Sequence, residues 1–350
     1  MTSVAFSPDG RTLVTGGTDG SVSVWDLTDR ARPDRLGLPL TGHRDAVTSV
    51  ALTADGHTLA AGSLDGSIVL WDLADRARPA RVGKPLTRPE WASESEVLSL
   101  AFSPDGRTLA AGTNAGVTLW DLRDRTRPVD HISAHDHSLQ VYSLAWSQDG
   151  HTLASASADK TVILSQAGTD RLGALTGPGE AWSVAFAPSG DTLVVGRSDG
   201  TVTVWDVADP NRPVRLGRLS GHRKGVTSVA FSPDGWALAT ASDDGTAILW
   251  DMDDPDQPIR LGEPLSGPAA LTSVAFSPDA RTLATGNADG TALLWDLTAL
   301  NDLRSHASRR ACGLTGQGPD RDEWSRYVSG LAYQDTCLAA PASGLSRRRG

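Results

Sequence analysis

The stretch GHRKGVTSVAFSPDGWALATASDDGTAILWD, from Gly221 to Asp251, decides how this chain is read, because its parts recur along most of the sequence. Val226, Ser228 and Ala230 alternate with Thr227, Val229 and Phe231, the period of a strand. Both faces are apolar or small, as in a strand covered on two sides. Ser232-Pro233-Asp234-Gly235 supplies a fixed φ, a short acceptor and a permissive glycine, the ingredients of a tight hairpin turn. Trp236 to Ala241 then reads as a second strand, Asp243-Asp244-Gly245 as a second turn and Thr246 to Trp250 as a third strand. A more polar fourth strand is expected near Pro258 to Leu265, where an outer edge tolerates proline and charge.

The hairpin phrase ends at Gly10, Gly56, Gly106, Gly150, Gly190, Gly235 and Ala280, at intervals of 46, 50, 44, 40, 45 and 45 residues. Trp25, Trp71, Trp120, Trp205, Trp250 and Trp295 take one equivalent position, and Ser165 takes it in the fourth unit. Each tryptophan follows an apolar strand, so these side chains read as core and not as a binding cage. The linkers before the fourth strands repeat an Asp, then Arg or Gln, then Pro: Asp29, Arg32 and Pro33 in the first unit, Asp254, Gln257 and Pro258 in the sixth. These read as turn-forming segments.

A four-stranded sheet of this size cannot bury two apolar faces alone, so neighbouring sheets must stack. Seven units at near-constant spacing favour radial closure into an all-β, seven-bladed β-propeller over residues 1–296. The seventh unit is expected to lack its outer strand, because the chain after Asp296 reads Leu297-Thr298-Ala299-Leu300 with Leu303, a helical spacing. The usual closing strand is then expected from residues upstream of Met1. A small, partly helical extension is expected to dock as a cap over 297–338, with Trp324 and Tyr327 on one helix face, and 339–350 is expected to fray.

Composition supports many short strands: 36 Gly and 20 Pro in 350 residues, with 39% hydrophobic and 5% aromatic residues. With 42 acidic against 32 basic side chains the formal charge is -10, which disfavours nucleic acid and anionic membrane as partners. No leader pattern and no apolar run near the length of a membrane span is present, so a cytoplasmic protein is expected. Cys312 and Cys337 are the only cysteines and lie beyond the repeats.

The phrase order resembles the WD40-repeat family, carried by seven recurrences and six retained tryptophans. That resemblance implies a structural tetrad of a loop His, a second-strand Ser or Thr, a turn Asp and the Trp, complete here as His222, Thr240, Asp244 and Trp250. Other units are partial: His43, Asp65 and Trp71 with Ala61 at the hydroxyl position; Thr15, Asp19 and Trp25 without a His; Ala115 for the Asp in the third; Asp159 with Ser165 in the fourth; Val195 with Asp199 and Trp205 in the fifth; Thr285, Asp289 and Trp295 in the seventh. The third and fourth blades are therefore expected to be the least stable. The tail from Asp302 to Cys337 is similar to an element following such propellers in actinobacterial proteins, where the propeller often accompanies a kinase-like or nucleotide-binding module. That resemblance also brings Cys312 near Cys337, although a cytoplasmic setting favours thiols.

No phosphate loop, kinase signature or Gly-x-Ser-x-Gly elbow occurs, so no catalytic residue is assigned. His131, His135 and His137 beside Asp130 and Asp136 are a conceivable metal cluster, but without Cys partners or a helical His motif they read as exposed polar residues. The Asp-Gly turns lack the ligand density of a calcium loop. No metal and no cofactor are expected. The reading is a noncatalytic protein- or peptide-binding scaffold or sensor, the propeller part of a larger signalling protein; the alternative is a propeller-fold hydrolase or lyase. The expected binding face is the loop rim, which varies between units: Arg44, Asp45, Glu94, Glu96, Asp136, His137, Glu180, Arg223 and Lys224.

Overall fold

The computed structural model describes residues 1–87, 95–132, 137–166 and 170–301, with backbone alone at 130–132. It divides into two units, 1–295 and 296–350. The first holds seven antiparallel sheets, which makes the chain a seven-bladed β-propeller as the phrase count requires. In blade six the strands run Val226–Phe231, Ala237–Ser242, Thr246–Asp251 and Ile259–Ser266. Six sheets have four strands in simple up-and-down order. The seventh has three among the described residues: Leu271–Phe276, Thr282–Asn287 and Ala292–Asp296.

The second strands lie deepest. Ala237 to Ser242 is buried at every position, because each of its faces meets a neighbouring blade. Burial at the third strand differs between blades. Ala247 to Trp250 is buried throughout beneath its outer strand, whereas Ala292 to Trp295, with no outer strand beside it among the described residues, is half-buried.

Closure is visible in hydrogen bonds that run around the ring. Ser3, Ser49, Ser99, Ser143, Ser183 and Ser228 each accept, through Oγ, the backbone N–H of the next blade's inner strand, at Val50, Leu100, Leu144, Val184, Val229 and Val274. Ser273 accepts from Val4 and completes the circle, all seven at 3.0–3.3 Å. A serine fits here because it is small enough for the crowded axis and still satisfies a buried donor. Met1 adds a second tie, its amino group donating to the Asn287 carbonyl at 3.0 Å.

From 298 to 301 the chain is helical, with the Thr298 N–H bonded to Asp296 Oδ1 at 2.8 Å as an N-terminal cap. The cap expected over the tail, the flexible terminus and the Cys312–Cys337 proximity lie outside the described residues.

Candidate functional site

The antiparallel order gives the propeller two unlike faces. One carries the first hairpin turns and the connections from third to fourth strands; the other carries the second turns and the loops between blades. We call them the turn face and the loop face.

Beneath the loop face, blade six holds its tetrad as a chain of bonds. Trp250 Nε1–H donates to Thr240 Oγ1 at 3.1 Å, Thr240 Oγ1 lies 2.8 Å from His222 Nε2, and His222 Nδ1 lies 3.3 Å from Asp244 Oδ2. The His222 side chain is 1% exposed. Burial pushes its pKa below the ordinary value while Asp244 pulls it up, which favours a neutral ring giving its Nδ1 proton to Asp244. Asp244 also receives the Arg223 N–H at 2.8 Å and the Thr246 hydroxyl at 2.6 Å, so the network fixes the loop that leads into the blade.

Blade two lacks one member. His43 Nδ1 meets Ser67 Oγ at 2.9 Å, but with Ala61 at the hydroxyl position its Nε2 is buried without a partner. Blade four supplies a correction. His137, expected on the binding rim, is 3% exposed, with Nδ1 2.9 Å from Asp159 Oδ2 and Nε2 2.8 Å from Ser155 Oγ. It is a framework residue and presents no side chain to a partner.

The remaining rim residues divide. Arg44, Asp45, Glu96, Arg223 and Lys224 are exposed on the loop face. Glu180 is half-buried, its Oε2 accepting the Trp182 indole N–H at 2.9 Å. Trp182 in turn lies over Gly225, where any side chain would collide with the ring. Tyr142 belongs to the same neighbourhood, its phenol pushed up by burial and by the Glu180 charge. Glu94 and Asp136 lie outside the described residues.

One buried group had no signal in the sequence. Arg197 stands where blades two, four and six have Ser63, Ser157 and Ser242, and is 0% exposed. Its Nη1 donates to the Gly179 carbonyl at 3.0 Å and the Lys160 carbonyl at 3.3 Å, tying blade five to blade four. Its Nε and Nη2 have no partner, and desolvation lowers its pKa to about 10 despite Asp199. Gly177 leaves the room this guanidinium needs: a β-carbon there would stand 2.1 Å from Cζ.

On the turn face the linker arginines do more than form turns. Arg30 bonds Thr282 Oγ1 and Asp279, each at 2.8 Å; Arg76 bonds Thr12 Oγ1 at 2.9 Å and Asp9 at 2.8 Å; Arg125 reaches Thr58 Oγ1 at 2.5 Å and lies 3.9 Å from Asp55. Each clamps its own blade to the preceding one. Burial raises the carboxyl of Asp9 and of Asp279, and the bonds from arginine and serine outweigh it, bringing both down to about 2. Hairpin prolines seal the same seams, for a β-carbon on Gly56 would stand 3.0 Å from Pro8 and one on Gly10 3.3 Å from Pro278.

Two hairpins lack that proline, having Ala54 and Gln148, and both adjacent seams open into clefts. The cleft between blades two and three has about 760 Å³ and is lined by Asp55, Asp105, Arg107, Arg123 and Arg125. The one between blades four and five has about 500 Å³ and a mixed lining that includes Phe186, Leu172 and Asp149. Among the described residues no group of three or more His, Cys, Asp or Glu side chains is placed to hold a metal, and no helix is long and apolar enough to cross a membrane.

Comparison with known proteins agrees with this architecture. The family described as IFT122 first beta-propeller matches residues 1–215, and the WD domain, G-beta repeat matches residues 213–251 and 260–296. The chain belongs to the β-propellers of this WD40/IFT122 type. A 36-residue segment is 67% identical to the NAD(+) hydrolase ApTIR of an Actinoplanes species, covering 10% of this chain and 5% of that protein.

Proposed function

We propose that this propeller is a noncatalytic protein- or peptide-binding body, used as a scaffold or sensor in the cytoplasm and as one part of a larger signalling assembly. The observation that carries the reading is the division of labour on the loop face. His222, Asp244 and their equivalents are consumed in holding the loops, whereas Arg44, Asp45, Glu96, Arg223 and Lys224, which the repeat does not require, are exposed. Charges that differ from blade to blade on a rigid ring give specificity without chemistry. The match to an NAD(+) hydrolase is shorter than one repeat and covers 5% of that protein, so it supports use of such repeats in larger proteins and not transfer of the activity.

The test is affinity purification from the native organism with quantitative mass spectrometry, comparing the wild type with the double variant Arg223→Glu/Lys224→Glu. The expected result is loss of a specific partner at unchanged melting temperature. Equal recovery by the folded double variant would contradict the loop-face assignment.

A further inference from the structure

Seven repeats give the molecule an internal standard for each seam between blades. Where a seam on the turn face is clamped, the receiving half is a hairpin Asp and the Thr three residues on: Asp279 with Thr282, Asp9 with Thr12, Asp55 with Thr58. The giving half is an arginine two residues before the Arg-Pro of the next blade's linker, namely Arg30, Arg76 or Arg125. Planar guanidinium fits this seat because one nitrogen reaches the carboxylate and another the hydroxyl.

At the seam between blades four and five the receiving half is intact and the giving half is gone. Asp149 and Thr152 are both present and both line the cleft of about 500 Å³. The position of the arginine is held by Pro210, which has no cation to offer, and the position of the sealing proline is held by Gln148. A β-carbon on Gly190 would meet nothing within 4 Å, whereas its counterparts Gly10, Gly56, Gly150 and Gly235 lie against a proline of the preceding blade. Asp149 uses Oδ1 for the Ser147 hydroxyl at 2.5 Å and the His151 N–H at 2.9 Å. Those bonds hold its carboxyl below the usual range, and among the described residues no lysine or arginine approaches its Oδ2.

Between blades three and four Asp105 and Thr108 are also kept without a linker arginine, but Pro104 there lies 3.4 Å from a β-carbon on Gly150, and Arg107 Nε stands 4.0 Å from Asp105 Oδ2. Arg125 already fills the Asp55 seat beside the larger cleft. Blade five has Ser189 where the carboxylate belongs, and blade six has Ala237 where the threonine belongs. The lining of the blade four–five cleft contains two carboxylates, Asp149 and Asp191, and no Lys or Arg, and its floor includes Leu172, Phe186 and Val207. Charge and shape therefore ask for one cation flanked by apolar surface.

We propose that this cleft is a docking site for an arginine presented by a turn or extended segment of a protein partner, its guanidinium on Asp149 and Thr152 and a neighbouring apolar residue over Gly190 and Phe186. The site is on the opposite face from the rim proposed above and stands or falls independently of it. The occupant imitates the contact that the chain makes with itself at three other seams.

The probe is an acetylated, amidated and fluorescently labelled peptide LADRARPARV, copying Leu73 to Val82, titrated against the full chain by anisotropy at peptide concentrations up to about 1 mM. Saturable binding is expected, weakened about tenfold or more by Asp149→Asn and less by Thr152→Val. Pro210→Arg places the chain's own arginine in the seat; it is expected to abolish peptide binding and to raise the melting temperature, so the test survives a poorly folded Asp149 variant. Asp9→Asn, at a seam already filled, is expected to leave the affinity unchanged. Absence of saturable binding, or equal binding by wild type, Asp149→Asn and Pro210→Arg, would overturn the proposal. Self-association of the wild type that Asp149→Asn abolishes would assign the arginine to a second copy and overturn the separate partner.

Discussion

Blade six and blade four are built from the same phrase, and their buried networks differ mainly at the position of the tryptophan. In blade six the indole of Trp250 ends a continuous chain through Thr240 and His222 to Asp244. In blade four His137, Ser155 and Asp159 form the same start, but Ser165 replaces the tryptophan and turns its hydroxyl to the Leu153 carbonyl at 3.3 Å. The loss is of packing more than polarity. Trp250, Trp205 and Trp71 each join the apolar cluster shared with the preceding blade, whereas the described cluster between blades three and four, around Leu119, Val141 and Leu153, contains no buried tryptophan. Polar satisfaction and apolar burial are thus separable parts of one motif.

The largest effect expected from that contrast is at the histidines. His222→Ala removes a buried bridge between hydroxyl and carboxylate and should destabilise by about 2–3 kcal/mol in denaturant unfolding; His137→Ala, in a blade without the indole, should cost about 1–2 kcal/mol. His57 is exposed beyond its hairpin, and His57→Ala should cost about 0.5 kcal/mol or less. Equal losses at His222 and His57 would break the comparison.

Acid should act next, in two windows. His43 and His222 have folded pKa values depressed by burial, so the unfolded chain binds the proton more readily; stability is full above about 6.5 and falls as pH drops below it. Asp9 and Asp279, brought to about 2 with arginine and serine as donors, add a second loss as pH falls from about 4 towards 2. Melting temperatures across pH 3–8 check the order, and His222→Gln should flatten the upper window.

Smaller gains are expected from repairs. Ala61→Ser offers the stranded His43 Nε2 the partner it has in blades four and six and should stabilise by about 1 kcal/mol. Lys160 and Ala280 sit at φ 71° and 56°, in turns where other blades use glycine. Lys160→Gly and Ala280→Gly should each gain about 0.5–1 kcal/mol, since relief of left-handed strain exceeds the entropy cost of glycine there. Losses in either case would mean that the side chain makes an offsetting contact.

These residues also mark what sequence can reveal about a repeat. Spacing within one unit was enough for the strands and the turns, while the blade-six network followed from the resemblance to the WD40 family. The role of His137 was within reach too: it precedes Asp159 by 22 residues, as His222 precedes Asp244, but the sequence before it reads Asp136-His137 in place of the Gly-His pair. Contacts between units were harder. The serine ring and the Arg30, Arg76 and Arg125 clamps join different copies, so no single phrase contains both partners, although an arginine repeated where a turn needs none was the available sign. Arg197 gave no sign, because its position holds a small polar residue elsewhere and only the folded neighbourhood of Gly177 explains it.

Hydrogen–deuterium exchange on the full chain tests most directly the claim that complete networks hold the ring and incomplete ones loosen it. The second and third strands of blade four, over 152–166, should exchange faster than those of blade six, over 237–251, with the first hairpin peptides of both as internal references. Equal protection of the two blades, or faster exchange in blade six, would contradict it.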